Sequence, residues 1–433
     1  MKNYFSWLKQ YLKDPLQRNA LFLMTTQVVG AVLGFLFWLI AARLYSAEEI
    51  GLATALISAV MLIAVLSILG YDVGLIRFLH SEENKRDMIN TCLTIAGLLS
   101  IAIAITFISG LNIWSPKLLF LQEKYYYIAA FILFTIVTAV GLLKNEIFVA
   151  FRQTHFVFIQ SLISGLRLLL VVLLVGFGAF GIFASFFLVS GLALVAGILF
   201  IVRIYPPYRP VPVIRKRIVK KMSRFSLGNY VARSLEALPI RIMPLLVIGI
   251  LTVESSAYFY IAFSLSSILG MIAGSTSKSL FAEGSYQPGL LRSQMLKAVK
   301  FISTFLIPGI LILFFIGDKF LALFGNEYTQ NSFWLLRFLA LSWLPATINM
   351  LYISIIRVRM KIKPLIYIYA FTAIFIIGIS YLLMNWIGLI GVGIAWLLTQ
   401  SLVAMVVGPV MLKMAGISAK SLLRIGGDNA TSD

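Results

Sequence analysis

Apolar windows of about 20 residues, the length a helix needs to cross a hydrocarbon core, recur along the whole chain with short polar breaks between them. The pattern predicts helices over 20–43, 50–71, 90–110, 126–148, 157–177, 180–202, 223–248, 253–274, 299–316, 332–355, 364–384 and 388–411. Composition agrees: of 433 residues 61% are hydrophobic and only 12% charged, about half the charged fraction of a soluble domain. The sequence reads as an all-α polytopic membrane protein with about 12 transmembrane helices. The first apolar segment follows a basic start but is too long for a signal-peptide core, so it is taken as a retained helix. The single cysteine, Cys92, falls within the third span and leaves no disulfide to form.

Lysine and arginine sort by side. With the N-terminus inside, twenty-eight of them fall in cytoplasmic segments and four, Arg43, Lys117, Lys124 and Lys319, in outer loops. Positive residues stay in the cytoplasm, so both termini are expected there, in a multi-pass protein of the cell (plasma or inner) membrane. The net charge of +20 is then mostly topology and not a nucleic-acid footprint. The longest basic stretch, Tyr205–Lys221, holds Pro206, Pro207, Pro210 and Pro212 and cannot continue a helix. It divides the chain into an N-terminal six-helix lobe (1–204), a cytoplasmic linker (205–221) and a C-terminal six-helix lobe with a short cytoplasmic tail (222–433). An Asn429-Ala430-Thr431 sequon on that tail is expected to be unused. Shifting the chain by 206 residues lays Glu48 over Glu254, Gly51 over Ala257 and Arg18 over Arg224, a parallel repeat of the kind found in transporters.

Charge at bilayer depth is expensive and usually marks a transport or binding path. Helix seven carries the clearest case. At 100° per residue Ser226, Asn229, Tyr230, Arg233 and Glu236 share an arc of roughly 120°, and Pro239 and Pro244 follow as points of bending. Arg233 and Glu236 are spaced to pair with each other, either to line a cavity or simply to neutralise themselves for insertion. On helix five, Gln160, Ser164 and Arg167 share a face, while Arg241 and Arg337 sit nearer the outer surface and can snorkel. Four arginines against Glu236 make the interior positive, which suits an anionic ligand such as a phosphate. Asp72, Lys144 and Glu146, near cytoplasmic helix ends, read first as solvated ends and second as coupling groups. Gln27 is balanced between packing and the cavity, and the Gly30-x-x-x-Gly34 pair reads as a close helix contact. No P-loop or metal-spaced histidine cluster is present. With outer loops of about 15 residues the chain is read as a non-enzyme without cofactor, whose possible coupling is to protons or sodium ions.

The stretch 42–79, ARLYSAEEIGLATALISAVMLIAVLSILGYDVGLIRFL, resembles the first outer loop and second helix of the polysaccharide flippases (O-antigen or teichoic-acid type) of the multidrug/oligosaccharidyl-lipid/polysaccharide exporter superfamily. Ser46, Glu49, Ile50 and Gly51 match the loop; Leu69, Gly70, Gly74, Leu75, Ile76 and Arg77 match the helix end. In the second half the pattern is lost around Gly270 to Glu283. The resemblance implies two six-helix lobes around a central cavity lined by helices one, two, seven and eight. It implies a polyprenyl-diphosphate-linked oligosaccharide as substrate, carried from the cytoplasmic to the outer leaflet by alternating access for cell-surface polysaccharide biosynthesis. Arg233, Glu236, Asn229, Tyr230, Ser226, Arg167, Gln27 and Arg241 are the candidate cavity residues, with Glu236 or Asp72 as a coupling carboxylate. Membrane lipids and glycan-assembly enzymes are the expected partners. The alternatives are a cation-coupled multidrug extruder of the same superfamily and a membrane scaffold for glycan assembly. A major-facilitator protein fits poorly, because the loop LHSEENKRDMIN lacks that family's basic motif.

Overall fold

The computed structural model describes residues 15–286, 291–359 and 362–415; the predicted topogenic residues Lys2, Lys9, Lys13, Lys361, Lys420 and Arg424 and the Asn429 sequon lie outside the described residues. Among the described residues all regular structure is helical, and the helices of seven residues or more are α1 (Pro15–Leu44), α2 (Ala47–Ser67), α3 (Tyr71–Phe78), α4 (Lys85–Ser109), α5 (Tyr125–Ala150), α6 (His155–Ile163), α7 (Arg167–Leu173), α8 (Gly178–Ile204), α9 (Lys216–Ile250), α10 (Val253–Tyr286), α11 (Leu291–Ala322), α12 (Asn326–Val358), α13 (Ile362–Ile387) and α14 (Ile390–Ala415). Eleven helical segments among them are long and apolar enough to cross a membrane. The remaining long helix, α9, holds the charged seventh span. The protein is thus a multi-pass, all-α membrane protein of about 12 spans.

Helix boundaries repeat at the 206-residue offset. Leu44 and Ile250 end α1 and α9, Ala47 and Val253 begin α2 and α10, and Lys85 and Leu291 begin α4 and α11. The caps repeat too. Ser46 Oγ accepts the Glu49 amide and Glu49 Oε2 accepts the Ser46 amide at 2.8 Å, closing a capping box on α2. At the corresponding place Thr252 Oγ1 accepts the Ser255 amide at the start of α10.

Two compact units divide after Ala257, so α9 packs within the first, 1–257. The Pro-rich linker is held, not loose. Asn90 of α4 donates to the Arg209 carbonyl at 2.8 Å, and Thr94 and Thr91 accept the amides of Val213 and Arg215. Tyr208 and Met222 close a core built on Tyr71, Leu75, Leu143 and Ile147. The predicted fifth span is broken: α6 passes through a 3-10 turn at Ser164–Leu166 into α7, and a second at Val175–Phe177 ends at Gly178 with φ +55°.

The second unit, 258–433, is built on α12 and α14, where Gly393 brings the two chains close against Leu335 and Phe338. The Asn349 side-chain Nδ2 donates to Gln400 Oε1 at 2.7 Å and to its carbonyl at 3.0 Å, which ties α12 to α14 through a polar pair.

Candidate functional site

The family-like stretch 69–77 makes one structural event. Leu69 (φ +48°) and Gly70 (φ +72°) turn left-handed, α2 stops, and α3 starts one residue later. Glycine tolerates that conformation without penalty. The break places Asp72 in the first turn of α3, where the helix dipole favours a carboxylate, and buries it to 2% exposure. It also leaves carbonyls at the end of α2 without helical partners. The Tyr230 hydroxyl of α9 donates to one of them, Leu66, at 2.9 Å.

Glycines let α9 come this close. A Cβ on Gly70 would stand 2.9 Å from the Ser226 carbonyl, and one on Gly74 would stand 2.5 Å from Met222 Cε and 3.1 Å from Ser226 Oγ. At the far end of α2 a Cβ on Gly51 would lie 1.9 Å from the Val253 carbonyl, and Thr54 meets Ser256 at 3.3 Å. α9 is therefore seated against the α2–α3 break, and the start of α10 against the N-terminal end of α2. In that seat Arg233 forms an ion pair with Asp72 while half of its side chain, 51%, stays exposed.

Several expectations change. Asp72 is not a solvated helix end; it is the buried partner of Arg233. Ser226 does not line an open face, because it is wholly buried beneath Gly70 and Gly74. Asn229, Tyr230 and Arg241 are half-buried, and Glu236 is exposed one turn beyond Arg233. Gln27 is exposed on α1. Gly30 and Gly34 are not close-packing contacts, since a Cβ on either would meet nothing within 4 Å. Arg167 donates to the Ser164 carbonyl and lies 4.8 Å over the Phe186 ring, while Gln160 is buried and accepts from Lys144 of α5. Arg337 is enclosed by Phe333, Trp334 and Phe314, with its Nε on the Phe314 carbonyl at 2.9 Å, so it serves the second unit's packing. Asp72 joins Glu236 as a second carboxylate to be set against the four arginines counted in the sequence.

Two polar centres escaped the sequence reading. Glu82, 4% exposed, joins the α3–α4 turn to α9 through Arg217 at 2.7 Å and Lys221 at 2.6 Å, beside an Arg215–Asp87 pair at 2.8 Å. The Lys221 hydrogen bond, backed by Arg217, holds the Glu82 carboxyl below the usual carboxylate range. Lys144 was expected at a solvated helix end; it is buried, bonded to Gln160. The signal available for Asp72 was its place two residues after the Leu69-Gly70 break.

Residues 16–281 match the family described as polysaccharide biosynthesis protein, which covers α1 through most of α10 and every candidate site residue. The chain belongs to that family. No curated relative matches. Among solved structures, the family member is similar to the lipid II flippase MurJ in an inward closed conformation, with 14% identity, 96% of this chain and 94% of that one covered, and a TM-score of 0.67. It is also similar to an inward-facing multidrug resistance MATE transporter of the MOP superfamily, with 12% identity, 93% and 96% covered, and a TM-score of 0.66. A MATE protein in the bent conformation follows at 14% identity, 96% and 98% covered, and 0.58. At such identities the likeness is one of fold: a membrane-transporter fold carried by a polysaccharide-biosynthesis protein.

Proposed function

We propose that this protein is a flippase that carries a polyprenyl-diphosphate-linked oligosaccharide from the cytoplasmic to the outer leaflet of the cell membrane by alternating access, with both termini in the cytoplasm. The observation that carries the reading is the half-exposed Arg233, held at mid-helix by a buried carboxylate. An isolated guanidinium at that depth is hard to keep. Asp72 supplies the counter-charge that lets it stay, and a diphosphate, which binds guanidinium in bidentate fashion, is a stronger competitor for it than a single carboxylate. Family membership supplies the pathway, and the MurJ-like fold supplies a precedent for moving a lipid-linked molecule. The protein acts as a transporter and not as an enzyme, and the glycan-assembly enzymes that make and consume its substrate are its natural partners.

The second reading is cation-coupled multidrug extrusion, favoured by the equal similarity to a MATE transporter and by Asp72 as a carboxylate that a proton or sodium ion would neutralise. The arginine excess argues against cationic drugs. Vesicles containing folded protein and polyprenyl-diphosphate oligosaccharide separate the two: protein-dependent exposure of the glycan to an external glycosidase supports flipping. Its absence with several glycans, together with uptake of organic cations, would replace the proposal with extrusion.

A further inference from the structure

Among the described residues Lys144 is the only buried lysine, at 3% exposure. Three helices build its slot. Its Nζ donates to the Gln160 side-chain oxygen on α6 and, at 3.2 Å, to the Ala193 carbonyl on α8. The Gln160 amide is held in that orientation because its Nε2 donates to the Phe156 carbonyl at 3.1 Å. Room for the stem comes from Gly197 of α8, where a Cβ would stand 2.3 Å from Lys144 Cδ and 3.1 Å from Nζ.

The slot's chemistry is that of an amine. An ammonium has three N–H groups to place and a neutral amine has two; the slot offers two acceptors, both uncharged. Among the described residues no titratable side chain on the packed elements, Glu48 and Glu49 of α2 included, bonds to Nζ. Asp72 on α3 is paired with Arg233, and Asp87 on α4 with Arg215. Tyr71 and Arg77 on α3, Lys85, Arg86 and Cys92 on α4, His155 on α6, Arg203 on α8 and the neighbouring Glu146 make no bond to Nζ. A buried cation without a counter-charge is disfavoured, and a buried lysine responds by exchanging its proton. A purely structural clip between helices is served as well by a neutral glutamine or serine, which makes the choice of lysine informative.

We propose that Lys144 is a proton-binding site of the first unit, neutral in the arrangement seen here and loaded when the α5–α6–α8 slot admits water, so that its proton occupancy biases the helix arrangement used in transport. Lys144 lies six residues, about 9 Å of helix rise, from the α5 end at Ala150. On the proposed topology that end faces the cytoplasm, from which the proton would come and to which it would return. The proton site stands on the geometry alone; its coupling to transport rests on the flippase reading.

The test uses the full chain purified in detergent, in three forms: wild type, Lys144→Met and Gly197→Ala. Gly197→Ala keeps the lysine but fills its slot. Each form is first shown to unfold cooperatively. Potentiometric titration over about pH 6–9, a window in which a solvated lysine near 10.4 stays protonated, should show one more proton exchanged by wild type than by either variant. Equal proton exchange in wild type and Lys144→Met overturns the proton site. Should Lys144→Met not fold, the wild-type comparison with Gly197→Ala decides in the same way. In vesicles, an imposed pH gradient should change the wild-type flipping rate several-fold and leave the variants' basal rate unaltered. A gradient response that survives in both variants overturns the coupling. Absence of flipping in every form would refute the flippase reading while leaving the titration result in force.

Discussion

α1 and α2 follow one another in the chain, are both apolar enough to span a membrane, and are used in opposite ways. Of the most apolar window of α1, 11% is buried inside the protein; of that of α2, 72%. α1 keeps Met24, Val28 and Val32 more than half exposed and sets Gly30 and Gly34 against open space. α2 is buried along most of its length and α3 over most of its first half, through Leu75, and Gly51, Gly70 and Gly74 each sit where a methyl group would strike a neighbouring helix or its side chains. Hydrophobicity therefore says that a segment crosses a bilayer, but not whether its face meets lipid, a groove or another helix. A glycine pair in an apolar helix carries no packing information until its neighbour is known.

The largest effect expected on the α2 side is electrostatic. Arg233→Ala strands the buried Asp72, at a cost of about 3–5 kcal/mol; the double variant Asp72→Ala/Arg233→Ala should recover most of that loss in denaturant unfolding of the detergent-solubilised protein. If the single and double variants are equally unstable, the ion pair is not what holds α9 in its seat. Next comes packing. Gly51→Ala drives a methyl into the Val253 backbone and should destabilise by about 1–3 kcal/mol, whereas Gly30→Ala and Gly34→Ala on α1 should be neutral or stabilise by up to about 1 kcal/mol. Equal melting shifts for Gly51→Ala and Gly30→Ala would erase the contrast between the helices.

Smaller effects sharpen the picture at the two ends of the α2–α3 element. Ser46→Ala opens the capping box and should cost about 1 kcal/mol, read as a lowered melting temperature. At the α3–α4 turn, the Glu82 carboxyl lies below its usual range in the folded protein. Its stabilising contribution is therefore complete above the unfolded carboxylate value, about 4.3, and is lost as pH falls through the folded value. Stability measured from neutral to acid pH should show this loss in wild type and less of it in Glu82→Gln. The effect is modest because the Arg217 side chain is 75% exposed and water screens it.

Much of the fold was legible because membrane helices announce themselves by length and composition. Eleven of the twelve predicted spans overlap long helices, and the fifth overlaps the broken α6–α7 segment; the Ser46–Glu49 capping box was read only as part of an outer loop. What escaped was partnership. Arg233 and Glu236 are three residues apart, so sequence offered that pair first; Asp72 lies 161 positions away and becomes a partner only when Gly70 and Gly74 admit α9. Lys144 and Gln160 likewise belong to different predicted spans, and nothing local says that Gly197 of a third span makes room for the lysine. The linker read as a tether because prolines exclude helix, while the side chains that hold it, Asn90, Thr91 and Thr94, look like ordinary polar positions on α4.

The central claim is that Arg233, made affordable at bilayer depth by Asp72, binds the diphosphate of a lipid-linked glycan. The most direct measurement is glycosidase access to polyprenyl-diphosphate oligosaccharide in vesicles, comparing wild type with the double variant Asp72→Ala/Arg233→Ala, first shown to unfold cooperatively. Because the double variant removes the stranded charge, a loss of function is not a loss of fold. The account predicts rapid protein-dependent access in wild type and access slowed by roughly 10-fold or more in the double variant, the size expected for losing one charge-assisted contact. Wild-type rates in a well-folded double variant would contradict it.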